Sequence, residues 1–482
     1  MQTLVVVIVI LYLLGMLAIG YYASQKVSSN EDFMVAGRRL GPIMLAGTLA
    51  ATEIGGGSSL GVVEKSFGDW GLGASWYVIT MGIAFVILSF VSSKIRTSEV
   101  KTVPEYFRRR YGRKSGLITA IIMILPLIGL TASQFIASST IVSVMLGLDY
   151  KVAVTIVALV VTIYSVLGGL WSVTLTDFVQ VFLILFGMIL AIPFSLKEAG
   201  GFDAVVNNVP AGKFDMFSGI GVVEIVSLVI MYIASFTVGQ EAVSRYYAAR
   251  DEKAAVEGSI IAAIINFIYA FIPTFLGIVT LALINMNKIS DTIILENGPY
   301  YALPHLAMAT MPALIVGLLF AGIISATMSS ADSDLLGAGS IFANDIYSIY
   351  IKPEATDKQV MNVTKIVMVL VGLFGWIVAI TNTNSLISLL MFSFTLRAAG
   401  AFFPYLFGLY WKKSSELGTI LSLIGGSVVV IGFEYIPALV KITETTKMNA
   451  IIPGLLVSLV LFLVGTIISP SKRNSTDLMD VK

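Results

Sequence analysis

Residues 50–61 read Ala50-Ala51-Thr52-Glu53-Ile54-Gly55-Gly56-Gly57-Ser58-Ser59-Leu60-Gly61, and they lie inside an apolar run extending from 42 to 67. A continuous helix is locally expensive there, because each glycine costs about 1 kcal/mol relative to alanine in a helix interior. A broken helix at membrane depth exposes amides and carbonyls, which is tolerated only where they line a cavity or bind something. The glycines also suit close helix packing, but the neighbouring Glu53 favours a break. A charge in mid-span costs about 2.5–3.5 kcal/mol on insertion scales and marks a functional position.

The chain around this stretch reads as membrane protein throughout. Of 482 residues, 57% are hydrophobic and 12% charged, against about a quarter charged in a soluble domain, which excludes a soluble enzyme. Long continuous apolar runs exclude a barrel, whose strands alternate every second residue. The absence of cysteine excludes disulfides and thiolate sites, and a single histidine, His305, excludes a multi-histidine metal cluster. A net charge of +1 provides no general field for nucleic acid.

Apolar runs predict an all-α integral membrane protein of about 13 transmembrane helices, near 3–23, 42–67, 73–95, 117–147, 152–170, 176–196, 221–244, 255–285, 311–335, 361–381, 385–411, 416–437 and 448–468. The first lacks the basic n-region and cleavage site of a signal peptide and reads as a retained span. Lys94, Arg96, Lys101, Arg108, Arg109, Arg110, Arg113 and Lys114 face only Glu99 and Glu105 between the third and fourth spans. The positive-inside rule makes that loop cytoplasmic. The same side receives Lys26, Arg38, Arg39, Arg245, Arg250, Lys253, Lys412, Lys413, Lys472 and Arg473. An odd number of spans then places the N-terminus outside and the C-terminus in the cytoplasm.

Further charges lie in or at the ends of apolar runs. Asp177 begins the sixth span, either as a first-turn cap or as a functional acid. Ser329, Asp332 and Ser333 share one helical face, while Asp334 points away from it; hydroxyls and a carboxylate on one face suit a hard cation, and a solvated helix end is the alternative. Arg397, deep in the run 385–411, either pairs with Glu53 or another buried acid, or clamps an anionic group of a solute. Glu241 precedes Arg245 by four residues, the spacing of a helical ion pair, and reads as a gate or surface pair. The repeat rule for transporters predicts a second interrupted helix, and 221–244 supplies a candidate with Ser235, Thr237, Gly239, Gln240 and Glu241.

The chain closely resembles the sodium/solute symporter family over nearly its whole length. The resemblance rests on Asp32-Phe33, Ala36-Gly37-Arg38 and Leu40-Gly41-Pro42, on Val103-Pro104-Glu105-Tyr106-Phe107 with Arg110-Tyr111-Gly112, on Gly168 to Gln180, on Gly239-Gln240 with Arg245, and on Ser329-Ser330. It implies a leucine-transporter-type fold, a single transport domain over 1–482. Two inverted five-helix repeats, 42–196 and 221–411, would have broken first and sixth core helices, preceded by an extra span and loop (1–41) and followed by two spans and a short tail (412–482). It implies a sodium site made by Ala51, Ile54, Ala326, Ser329 and Ser330. A second cation or proton site would comprise Asp177, Ser329, Asp332 and Ser333, where the acid at Asp332 departs from a serine-rich pattern. A substrate pocket would be lined by Glu53, Gly55, Gly56, Gln134, Ser235, Gln240 and Arg397.

The activity so implied is sodium-coupled secondary active symport by alternating access, importing a small organic solute, an amino acid or carboxylate-bearing metabolite, across the plasma (inner) membrane. No covalent chemistry is required, so the chain is not expected to be an enzyme. Na⁺ is the coupling ion with no further cofactor, and the partners are the solute, Na⁺ and membrane lipid, with no nucleic acid. Proton-coupled or sugar-type symport on the same fold, a channel and a membrane sensor are the alternatives. The tail after 469 is short for a sensor's signalling domain, and no repeated filter loop suggests a channel.

Overall fold

Apolar runs of this length satisfy their backbone groups in a bilayer as helix, and helix is what they form. The computed structural model describes residues 2–25, 30–381 and 385–471. Lys26, Lys472 and Arg473 of the topology argument lie outside them, as do the side chains of Asp32 and Phe33 and those at 167–169 and 171–172. Among the described residues there is no strand, only an isolated bridge between Leu40 and Ala249.

In chain order the principal helices are α1 (Gln2–Ser24), α2 (Pro42–Glu53), α3 (Ser75–Thr97), α4 (Val103–Tyr111), α5 (Arg113–Leu146), α6 (Tyr150–Ala199), α7 (Val222–Val238), α8 (Gln240–Ala248), α9 (Glu252–Tyr269), α10 (Phe271–Asn285), α11 (Ala313–Ile341), α12 (Asp357–Thr381), α13 (Leu386–Tyr410), α14 (Glu416–Tyr435) and α15 (Ile451–Ile468). Nine helical stretches among the described residues are long and apolar enough to cross a membrane, and α7 with α8 makes a tenth if the bent pair counts as one. This count does not separate the expected thirteen spans one by one, because it joins or divides several of them. Gln2–Met16 and Tyr150–Val166 are shorter apolar helices. The run 42–67 divides at Ile54, and its second half joins the next span in a stretch from Gly57 to Thr97.

The expected span 311–335 also ends too early. Its helix continues through Ile341 and then, more loosely wound, to Ile351, so the Ser329–Asp334 cluster lies in mid-helix and is not a solvated end. α11 is buried from Leu319 through Ile341, the signature of a helix enclosed on all sides. The helices around it turn apolar side chains outward, with Leu11, Phe90, Leu125, Leu159, Phe182 and Ile366 all more than half exposed, as a lipid-facing surface requires.

Two motifs of the sequence serve the ends of helices. Thr102 caps α4 by accepting from Glu105 N (3.1 Å), while Glu105 Oε2 accepts from Lys101 N (2.7 Å), a reciprocal cap. Arg110 is buried and donates to the carbonyls of Gly408 (3.1 Å), Trp411 (2.9 Å) and Lys412 (3.0 Å). It satisfies the last carbonyls of α13, which no intrahelical donor reaches.

Candidate functional site

The helix begun at Pro42 stops at Glu53. Ile54 has φ −80° and ψ 71°, outside the helical region, and helical winding resumes at Gly57–Gly61. The glycines do both things expected of them, breaking the helix and permitting close contact. A Cβ on Gly55 would lie 2.6 Å from Ser330 Oγ and 2.9 Å from Gln134 Oε1. The second interruption falls at Gly239 (φ −67°, ψ 117°), where α7 and α8 bend by 53°. A Cβ there would lie 2.7 Å from both Arg397 Nη2 and Glu241 Oε1, so glycine is what lets this ion pair approach the backbone.

Between the two interruptions lies a small cavity of about 20 Å³. Glu53, Gly55, Gln134 and Ser330 line it, with Glu241, Asp334, Ser58 and Tyr77 and an apolar wall that includes Leu130, Leu390 and Phe394. Glu53 is 7% exposed and its Oε1 has no hydrogen-bond partner. Gln134 accepts from Gly56 N at 2.9 Å, bracing the break from α5.

Three other expected pocket residues are placed differently. Gln240 turns away from the cavity: its Oε1 accepts from Val103 N (2.8 Å) and its Nε2 donates to Lys101 O (3.2 Å), holding the start of α4. Ser235 and Arg397 meet each other, Arg397 Nε donating to Ser235 Oγ at 2.7 Å. Arg397 pairs with Glu241, Nη1 to Oε1 at 2.6 Å, and its guanidinium lies over the Phe394 ring at 4.8 Å. Its partner is therefore not Glu53, and Glu241 is a buried member of the site and not a surface pair with Arg245.

Of the expected sodium ligands, Ala51, Ile54, Ala326, Ser329 and Ser330 are all buried around the break and α11. Ser330 Oγ donates to Thr52 O (2.9 Å) and Ala326 O (3.1 Å), tying α11 to the end of α2. Ser329 donates to Asp177. Both hydroxyl oxygens keep lone pairs with which a cation can be held.

Of the four residues expected to form a second site, three are linked: Ser329 donates to Asp177, which also accepts from Thr48, and Ser333 Oγ donates to Ser329 O at 2.9 Å, whereas Asp332 accepts from Ser165. Ser333 accepts from Arg245 Nη2 at 2.5 Å, and the same nitrogen stands 3.5 Å from Asp177 Oδ2. A fixed guanidinium thus occupies the ground between Asp177 and Ser333. Among the described residues no group of three or more His, Asp or Glu is arranged to hold a metal ion.

Sequence reasoning passed over Asp334 and undervalued Glu241. Asp334 follows Ser330 by four residues and so shares its face, a signal that was available. Glu241 gave no such signal, since its partner comes from a distant helix.

The sequence profile of the sodium:solute symporter family matches residues 33–426. The osmoregulated proline transporter OpuE of Bacillus subtilis is 25% identical over 480 residues, covering 96% of this chain and 95% of that one. The high-affinity proline transporter PutP of the same organism is 27% identical over 434 residues, covering 86% and 89%. A Na⁺-coupled sialic acid symporter, solved substrate-bound and outward-open, shares the fold with a TM-score of 0.81 at 22% identity, over 98% of this chain and 99% of that one.

Proposed function

Because the chain belongs to the sodium:solute symporter family, we propose that it is a multi-pass importer that draws a small amine-bearing solute of amino-acid size into the cell with Na⁺. The observation that carries this reading is the cavity at the break of α2, lined by both Ser330 and Glu53, whose buried Oε1 has no hydrogen-bond partner among the described residues. An ammonium group satisfies such a carboxylate, and its desolvation is repaid only by a well-placed partner.

In this reading Na⁺ is held by the carbonyls of Ala51, Ile54 and Ala326 and the hydroxyls of Ser329 and Ser330. Because those groups come from both α2 and α11, the ion draws the two together and completes the cavity that receives the solute. With no direct carboxylate ligand the ion is held weakly enough to leave on the far side. Arg245 balances Asp177, so the reading carries one Na⁺ at the break. The N-terminus outside and C-terminus inside, and inverted repeats over 42–196 and 221–411, belong to the same proposal. A negative interior contributes about 2.3 kcal/mol per charge per 100 mV, which drives uphill uptake.

The test is a thermal-shift screen of amino acids, amines and organic acids on purified protein with and without NaCl, followed by uptake into proteoliposomes. A transported solute raises the melting temperature by mass action, and more so with sodium. Uptake that persists undiminished without sodium would overturn the coupling and favour protons.

A further inference from the structure

We infer that the central cavity selects a solute with net positive charge, an α,ω-diamine in preference to a zwitterionic amino acid. The inference rests on the symport reading for its sodium dependence and goes beyond it in the class of solute.

The argument is one of charge at close quarters. Glu53, Glu241 and Asp334 all line the cavity, and among the described residues no Lys, Arg or His does. Arg397, which does not line the cavity, is paired with Glu241 Oε1 at 2.6 Å, donates to Ser235 and lies over the Phe394 ring. That leaves two carboxylates, Glu53 from the break of α2 and Asp334 from α11, facing the space without a basic partner. Glu53 is 7% and Asp334 3% exposed. Among the described residues Glu53 Oε1 makes no hydrogen bond.

Like charges sharing a small apolar-walled space repel unless cations or protons come between them. A zwitterion brings one ammonium for two acids and adds a carboxylate with no basic side chain to receive it; the amide of Gly56 is already taken by Gln134. A diamine brings one ammonium for each acid. Its aliphatic stem matches the apolar side chains of Leu130, Leu390 and Phe394.

Three probes of equal chain length separate the charges: 1,4-diaminobutane, butylamine and 4-aminobutanoate, measured by thermal shift on the full-length protein and by competition for uptake into proteoliposomes, each with and without NaCl. The diamine should bind tightest and the zwitterion weakest, by roughly tenfold or more per charge-assisted contact. In Asp334→Asn the preference for the diamine over the monoamine should fall to within about twofold, and Asp334→Glu should restore it. If Asp334→Asn does not fold, Glu53→Gln is judged by the same ratio, which should also narrow. Equal binding of zwitterion and diamine, an unchanged ratio in the variant, or no binding of any probe overturns the inference. If the order holds but sodium makes no difference, the symport reading fails while the charge selectivity stands. Sodium-dependent uptake of the zwitterion without diamine binding has the reverse meaning.

Discussion

Arg397 and Glu241 meet at 2.6 Å inside the helix bundle, at 1% and 3% side-chain exposure, with Gly239 at the bend beside them. The pair joins the middle of α13 to the first residues of α8. Removing one partner leaves the other charge buried without compensation, which costs about 3–5 kcal/mol. Arg397→Met and Glu241→Leu alone should each lower thermal stability by amounts of that order, and the double variant should be more stable than either. A double-mutant cycle on purified protein checks this. Additive losses would mean that the two charges are satisfied separately.

Both interruptions were legible in the sequence, because glycine beside an acid in an apolar run has few explanations. Gly55 and Gly239 fall where the helices break. The direction of side chains at a bend was not legible: Gln240 and Glu241 are adjacent, yet one grips the Lys101–Val103 backbone and the other reaches the cavity. Arg110 read as one more topogenic charge, since nothing local announces that it supplies donors to the end of a helix some three hundred residues on. Periodicity fixes which residues share a face. It does not say which helix that face will meet.

Glycine at 55 is required by contact as well as by conformation. An alanine methyl would stand 2.6 Å from Ser330 Oγ and 2.9 Å from Gln134 Oε1, forcing the hydroxyl off Thr52 O. Gly55→Ala should therefore weaken sodium-dependent thermal stabilisation, with apparent Na⁺ affinity down about tenfold or more. Gly15→Ala, with nothing within 4 Å, should be neutral or stabilise by up to about 1 kcal/mol. Equal responses from the two variants would dissociate Gly55 from the cation.

Ser329 and Ser330 face different neighbours, and their alanine variants should differ. Ser330→Ala removes the bond between α11 and Thr52 O and one cation ligand. Ser329→Ala also strips a donor from Asp177, which keeps Thr48 and Arg245. Sodium titrations followed by melting temperature should shift to higher concentration in both, and saturation should vanish in the double variant. A double variant with wild-type sodium dependence would remove these hydroxyls from the cation site.

Gln240 separates binding from movement. Its amide spans Val103 N at 2.8 Å and Lys101 O at 3.2 Å, and Thr102 between them donates to Asp345 Oδ2 at 2.6 Å, so α8, the start of α4 and the loosely wound end of the α11 helix are held together. Any rocking of α8 about Gly239 has to release or carry this clamp. Gln240→Ala opens it without touching the cavity wall, because Gln240 does not line the cavity. Solute affinity measured by thermal shift should stay within about twofold of the parent, while the maximal uptake rate changes severalfold, as expected when a conformational step limits turnover. A loss of affinity equal to the loss of rate would return Gln240 to the solute's contacts, and the bend at Gly239 would then have to be read as part of the pocket wall.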